Sequence, residues 1–219
     1  MINDLVARGF SGAIRALTGA RALWEGCGPS ADRRVYFGNH ASHGDFVMIW
    51  SALPSELRRR VRPVAGADYW NRSRLRRYLI HRVFNGVLIE RDRAQRSEDP
   101  IATLCTAVDG GASLILFPEG TRNTGDGLLP FKSGIYHLAR QRPELEFVPV
   151  WLDNLHRVMP KGRLLPLPLL CTARFGTPMR LAPGEAKQNF LDRARDALLA
   201  LSDGAAVAAP PRPDAGTAA

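Results

Sequence analysis

The stretch "RRVYFGNHASHGDFVMIWSAL", Arg33 to Leu53, changes character in its middle. "RRVYFGN" predicts a strand, and "GDFVMIWSAL" predicts a helix that Pro54 stops or kinks. Between them stand His40, His43 and Asp45, so two of the chain's five histidines fall at one strand-to-helix turn.

Outward from this unit the alternation repeats. "VRPVAG" reads as a second strand, and "NRSRLRRYLIHRVF" as a basic helix with Leu75, Leu79 and Val83 on one face. "GVLIE" is a third strand, and "DPIATLCTAVDGG" a helix closed by Gly110 and Gly111. A buried fourth strand, "SLILFP", leads into the glycine-rich loop "EGTRNTGDGLL" and the helix "SGIYHLARQ". "EFVPVWL" and "LLCTARFG" supply two more strands, and "AKQNFLDRARDALLALS" a last helix. Strands separated by helix-length segments predict an α/β fold with a mixed, largely parallel central sheet flanked by helices. Before it, residues 1–28 are expected to carry an amphipathic helix. Val6, Phe10, Ile14 and Leu17 share a stripe there, with Arg8, Arg15 and Arg21 off it. Such a helix packs on its own domain or lies in a membrane interface with Trp24 near the headgroups. Residues 204–219, rich in Ala and Pro, are expected as a disordered tail.

Composition narrows the classes. With 219 residues, 45% of them hydrophobic, the chain is long enough for one domain with a substantial core. No apolar run reaches the roughly 18 residues of a membrane span, and the first residues lack a signal-peptide layout. Cys27, Cys105 and Cys171 stand far apart, which argues against a structural zinc site and suits a reducing compartment. Thirty Lys+Arg against 21 Asp+Glu give +9, and the excess is mostly arginine. Much of it lies between Arg58 and Arg96. Either this is a solvated face, or it meets an anionic partner such as phospholipid headgroups or a phosphorylated substrate. No zinc finger, RRM-type motif or recognition helix accompanies it, so no nucleic-acid partner is expected.

Three readings compete for the opening motif. Metal binding would need three ligands and an open position, but Phe46 sits where a further ligand would fall. A serine nucleophile finds only "GFSGA", which lacks the final glycine of the nucleophile elbow. In the third reading Asp45, in the first turn of its helix, reaches back to His40, fixes its tautomer and leaves Nε2 as a base. The bland alternative is a loop histidine beside a residue that favours the helix dipole. Strand four, however, ends in "FPEGTRN", Phe117 to Asn123, where Arg122 offers a fork for phosphate oxygens. Glu119 there is expected to accept from a ligand hydroxyl or to hold Arg122, and Gly120 allows close backbone approach. Arg91 leaves the third strand at the same edge. A base, an arginine and an acid–arginine loop thus meet at the carboxyl rim of one sheet, the usual ligand site of such folds.

These residues resemble the glycerolipid acyltransferases of the 1-acylglycerol-3-phosphate acyltransferase type. The first block, N-H-x-S-x-x-D, is matched by Asn39, His40, Ser42 and Asp45, and the second, G-x-x-x-x-R, by Gly86 to Arg91. The third, F-P-E-G-T-R-S, is matched except that Asn123 replaces the serine, and it continues through Phe131, Lys132 and Gly134. A V-P-V strand, Val148 to Val150, is similar to the fourth.

The resemblance implies a glycerol-3-phosphate acyltransferase-like domain over residues 29–203. It implies transfer of a fatty acyl group from acyl-CoA or acyl carrier protein, as co-substrate, to the hydroxyl of a lysophospholipid, 1-acyl-sn-glycerol-3-phosphate. That would give phosphatidic acid for phospholipid biosynthesis. His40 would be the base and Asp45 its orienting partner, with Arg91, Glu119, Gly120, Thr121 and Arg122 binding the acceptor. Asn39 and Ser42 would be turn-forming supports and His43 a bystander. No metal or other cofactor is implied. An expected location is the cytoplasmic face of the membrane, held peripherally on an anionic surface. The family's K-x-E-L segment is replaced here by "VAGADYWNR", which is expected to border the acceptor or acyl site. The same chemistry on glycerol-3-phosphate, an amino-lipid or a glycan stays open, as does a catalytically inert membrane-binding module.

Overall fold

The computed structural model describes residues 9, 12, 21–42, 44–92, 94, 98–123, 125, 127–153 and 171–207, with side chains described to 202. The strands are β1 (Arg21–Trp24), β2 (Arg34–Gly38), β3 (Val61–Gly66), β4 (Val87–Ile89), β5 (Ser113–Leu116), β6 (Glu146–Asp153) and β7 (Thr172–Phe175). They form one sheet in the order β1-β7-β6-β2-β5-β3-β4. All neighbours are parallel except β6 and β7. The mixed, largely parallel sheet predicted above is therefore present.

The helices are α1 (Asp45–Ala52), α2 (Ser55–Arg58), α3 (Ala67–Trp70), α4 (Arg74–Tyr78), α5 (Pro100–Asp109), α6 (Gly134–Gln141) and α7 (Lys187–Val207). Each face of the sheet carries its own core. Tyr36, Ile115 and Val150 meet Ile49 of α1 and Leu53, which follows it, on one face. Phe37, Leu114 and Phe147 meet Val108, Leu138 and Phe190 of α5, α6 and α7 on the other. Every residue of β2, the middle strand, is buried, which fits the apolar run Val35–Phe37, while Arg34 is paired with Glu146. Asp99 caps α5 by accepting from the Ile101 N–H at 3.0 Å, with Pro100 at the first helical position.

Three expectations are corrected. The amphipathic helix does not extend to Trp24, because Arg21–Trp24 form a strand parallel to β7. The free edge of β7 supplies backbone partners that a helix would leave unused, and Trp24 stacks on Phe175 at 4.0 Å. Of the residues before 21 only Gly9 and Gly12, both helical, are described. Secondly, the basic helix does not bury Leu75. A π-helical turn, Leu79–Val83, follows α4, and its Phe84 N–H donates to the Leu79 carbonyl at 3.0 Å. The extra residue rotates the apolar face, so Ile80, Val83 and Phe84 are buried while Leu75 is 67% exposed. Thirdly, α7 runs to Val207, four residues into the expected tail; 208–219 lie outside the described residues.

The antiparallel side is joined by charge. Arg174 of β7 donates to Asp153 of β6 at 2.9 Å and to Glu25 at 2.6 Å, and its own side chain is only 9% exposed. Replacing one partner leaves Asp153 largely desolvated without a counter-charge. Arg174→Met should lower unfolding free energy by about 2–3 kcal/mol, read as a shift of the urea midpoint at constant slope. An unmoved midpoint would mean that the pair contributes nothing.

Candidate active site

Parallel pairing puts the carboxyl ends of β2, β5, β3 and β4 on one rim, and each continues into a chemically distinct loop. Asn39 follows β2 and is buried. Its side-chain amide donates to the Leu152 carbonyl at 3.2 Å and accepts the Leu152 N–H at 2.8 Å, fixing the exit of the chain against β6. Ser42 accepts the Gly44 N–H at 3.1 Å and shapes the turn into α1. Both are the supports expected of them.

His40 is held at four places. Its Nδ1 lies 2.8 Å from Asp45 Oδ2, its N–H donates to Glu119 at 2.8 Å, and its carbonyl accepts the Asn123 N–H at 2.6 Å. The ring stacks on Phe117, 4.3 Å between centroids and 14° between planes. Asp45, the first residue of α1, has no exposed surface. It also accepts the Ala41 N–H at 2.6 Å and the Ser42 N–H at 2.9 Å, so its charge is compensated by donors on one short loop. A carboxylate on Nδ1 makes that nitrogen the donor and leaves Nε2 with a lone pair. The imidazole keeps 19% of its surface and lines a cavity of about 570 Å³. Among the described residues no three of His, Cys, Asp and Glu come together as metal ligands. His43 lies outside the described residues.

Gly120, Thr121, Arg122 and Arg91 line the same cavity, as the sequence pattern predicts. Gly120 has φ +70, a conformation that a side chain would strain, and Lys132 packs across it. Glu119 is different. It is 1% exposed and does not line the cavity; its two oxygens accept the N–H groups of His40 at 2.8 Å and Leu129 at 3.0 Å. The expectation that it binds a ligand hydroxyl or holds Arg122 is therefore corrected. A buried carboxylate needs donors, and two loop amides supply them. Glu119 positions the His40 loop against its own.

Sequence reasoning missed several wall residues. Phe117 was legible only as the end of an apolar strand, and its stacking depends on β2 and β5 being neighbours. Lys132 comes back to the rim because its N–H donates to the Pro118 carbonyl at 2.7 Å. The "VAGADYWNR" segment does border the site, contributing Gly66, Asp68, Tyr69, Trp70 and Arg72 to the wall. Asp68 accepts from Arg91 at 3.1 Å, and the pair lies directly over Gly66, where the first carbon of any side chain would collide with both. Gly86, which opens the second block, lets the chain pass against Ile80 and β3.

Glu119→Gln tests the positioning role, since an amide keeps one acceptor and turns the other position into a donor facing an N–H. It should cost about 1–3 kcal/mol of stability and shift the His40 ring resonances in NMR spectra. Wild-type stability with unmoved resonances would refute it.

The acyltransferase family model matches residues 28–153. A 1-acyl-sn-glycerol-3-phosphate acyltransferase of Cocos nucifera is 30% identical over 173 residues, covering 75% of this chain and 54% of that protein. One of Haemophilus influenzae is 30% identical over 131 residues, covering 57% and 49%. The chain thus spans about half the length of these relatives. The crystal structure of the 1-acyl-sn-glycerophosphate (LPA) acyltransferase PlsC from Thermotoga maritima superposes with a TM-score of 0.71. It covers 95% of this chain and 81% of that one at 17% identity, a likeness of fold. With the dyad and the "FPEGTR" loop on one rim of that fold, and the family model covering more than half of its length, the chain belongs to the acyltransferase family.

Proposed function

We propose that this protein transfers a fatty acyl group from an acyl thioester to the free hydroxyl of 1-acyl-sn-glycerol-3-phosphate, giving phosphatidic acid. The observation that carries the reading is the 2.8 Å contact between His40 Nδ1 and a fully buried Asp45, on the wall of a cavity that also holds Arg72, Arg91, Arg122 and Lys132. The names of the relatives support the choice of acceptor.

In this mechanism His40 Nε2 takes the proton of the acceptor hydroxyl as its oxygen attacks the thioester carbonyl. The tetrahedral adduct collapses, the carbon–sulfur bond breaks, and the thiolate leaves with the proton returned by the imidazolium. Asp45 stabilises that imidazolium without moving, because three donors fix it. Arg91, Arg122 and Lys132 hold the acceptor's phosphate, aided by the Thr121 hydroxyl. The thioester, from acyl-CoA or acyl carrier protein, is a co-substrate, and the chemistry needs no further cofactor.

A second acceptor class is favoured by one observation. Asp68 places a carboxylate on the cavity wall, and an ammonium group on a headgroup would compete with Arg91 for it. An acceptor panel scored by product mass separates the two: lysophosphatidate alone supports the first, and an amino-lipid acceptor alone the second. On the productive acceptor His40→Ala should lower turnover by about 10²–10⁴-fold, and His43→Ala should leave most of it. Equal losses would reject His40 as the base.

Membrane contact would be peripheral, on an anionic inner face. No helix among the described residues is long and apolar enough to cross a bilayer. Leu75 and Tyr78, 67% and 40% exposed, stand one turn apart on α4, beside Arg74 and Arg77. The α3 residues Tyr69 and Trp70 line the cavity, and Arg76 of α4 lies over the Tyr69 ring at 4.1 Å. Each arginine near an anionic surface contributes about 1 kcal/mol. Sedimentation with phosphatidylglycerol vesicles should then be released by high salt and weakened roughly tenfold by Leu75→Ser. Salt-resistant binding that ignores Leu75 would place the contact elsewhere.

A further inference from the structure

The arginine-rich segment is not one surface. Arg72 and Arg91 line the catalytic cavity, but Arg59, Arg60 and Arg62 lie at the opposite end of β3, on a second cavity of about 1020 Å³. The two cavities draw their linings from the same elements, with no residue in both. Arg62, Val64 and Gly66 alternate along β3 and so face one side of the sheet, with Val87 level with Val64 and Ile89 level with Gly66 on β4. Arg62 and Val87 line the second cavity; Val64, Gly66 and Ile89 line the first. The helix α5 runs alongside; Pro100 lines the catalytic cavity, and the second cavity extends along the helix from Asp99 beside it to Gly110 at the far end. From Arg62 to Gly66 along the strand is about 13 Å, and from Pro100 to Gly110 along the helix about 15 Å.

The charges are placed for a ligand. Arg62 donates its Nε–H to the Asn85 carbonyl at 2.7 Å, which fixes the plane of the fork. Burial disfavours its charged form, a cost that an anion would offset. Arg59 and Arg60 are exposed and form no ion pair among the described residues. The acids on this cavity are engaged locally: Asp99 caps α5 and Glu98 accepts from the Thr103 hydroxyl at 3.3 Å. Small residues at Ala102, Gly110 and Ala112 leave the volume open.

We propose that this second cavity binds the phosphate end of a nucleotide-bearing acyl thioester, an acyl-coenzyme A, whose pantetheine arm runs along the β3–β4 edge into the cavity that His40 lines. The proposal rests on the acyl-transfer reading above and names its donor. A pantetheine arm carries two amide links and spans about 15 Å when extended, much like four or five residues of chain, which covers the distance along β3 from Arg62 to Gly66 at the catalytic cavity. Three guanidiniums exceed what a single phosphodiester needs, and they suit a diphosphate with a further 3′-phosphate. The volume is that of a small-ligand site, whereas a folded carrier protein would dock on a flatter face.

The test uses the full chain and adenosine 3′,5′-bisphosphate as the probe, titrated calorimetrically. The Arg59→Gln/Arg60→Gln/Arg62→Gln variant should lose at least tenfold in affinity for the probe. Its KM for an acyl-CoA should rise at least tenfold, with kcat and the KM for an acyl-N-acetylcysteamine thioester, which has no phosphate, unchanged. Thr106→Glu, an exposed substitution that places a carboxylate on the same wall, should weaken the probe independently of whether the triple variant folds. Equal probe affinity in wild type and variants would overturn the site, as would an equal KM increase for the phosphate-free thioester. So would transfer from acyl carrier protein by a wild-type chain that does not bind the probe. Wild-type protein that binds the probe through these arginines but transfers no acyl group from any thioester keeps the site and overturns the acyl-transfer reading instead.

Discussion

Two buried carboxylates hold the rim of this sheet in place. Glu119 accepts one N–H from the loop after β2 and one from the far side of its own loop, so it fastens two strand ends that are remote in sequence. Asp45 fastens the imidazole to the start of α1. A carboxylate removed from water is tolerated only where donors surround it, and here the donors are mostly backbone N–H groups that the loops must present in one geometry. The requirement runs both ways: the loops satisfy the acids, and the acids fix the loops.

That rigidity fixes how the imidazole is presented. With Nδ1 engaged by Asp45, one face on Phe117 and the backbone held at both ends, His40 has one free nitrogen and one orientation. The cations around it come from three separate loops, and none is adjacent to His40 in sequence. A parallel sheet gathers them because every β2, β3, β4 and β5 strand ends on the same side. The middle position of β2 puts His40 between the β5 loop and the strand exits toward β6, within reach of both.

The balance of charge within the wall is uneven. Arg91 is tied to Asp68 over a glycine, while Arg122 and Lys132 lie on the loop opposite. The "VAGADYWNR" segment therefore supplies both a carboxylate and the space beside it.

Much of this was legible in the linear chain. Strand β2, helix α1 and the pair His40–Asp45 follow from local pattern, because a spacing of five across a strand-to-helix turn depends on nearby backbone alone. The order of strands and helices, the Asp99 cap and the glycine at Gly120 are equally local. Other features belong to the tertiary structure. Glu119 turned inward rather than toward a ligand because an amide 79 residues away needed an acceptor. The segment Arg21–Trp24 became a strand because β7 offered an open edge, and the π-turn after α4 moved burial from Leu75 to Ile80. Phe117 under His40, Arg91 over Gly66 and the arginines split between two cavities all depend on which strands are neighbours. Sequence determines what each segment can do with its own backbone. Which distant groups satisfy a buried charge or an open edge is decided only when the sheet is assembled, since that free energy belongs to the pair and not to either residue.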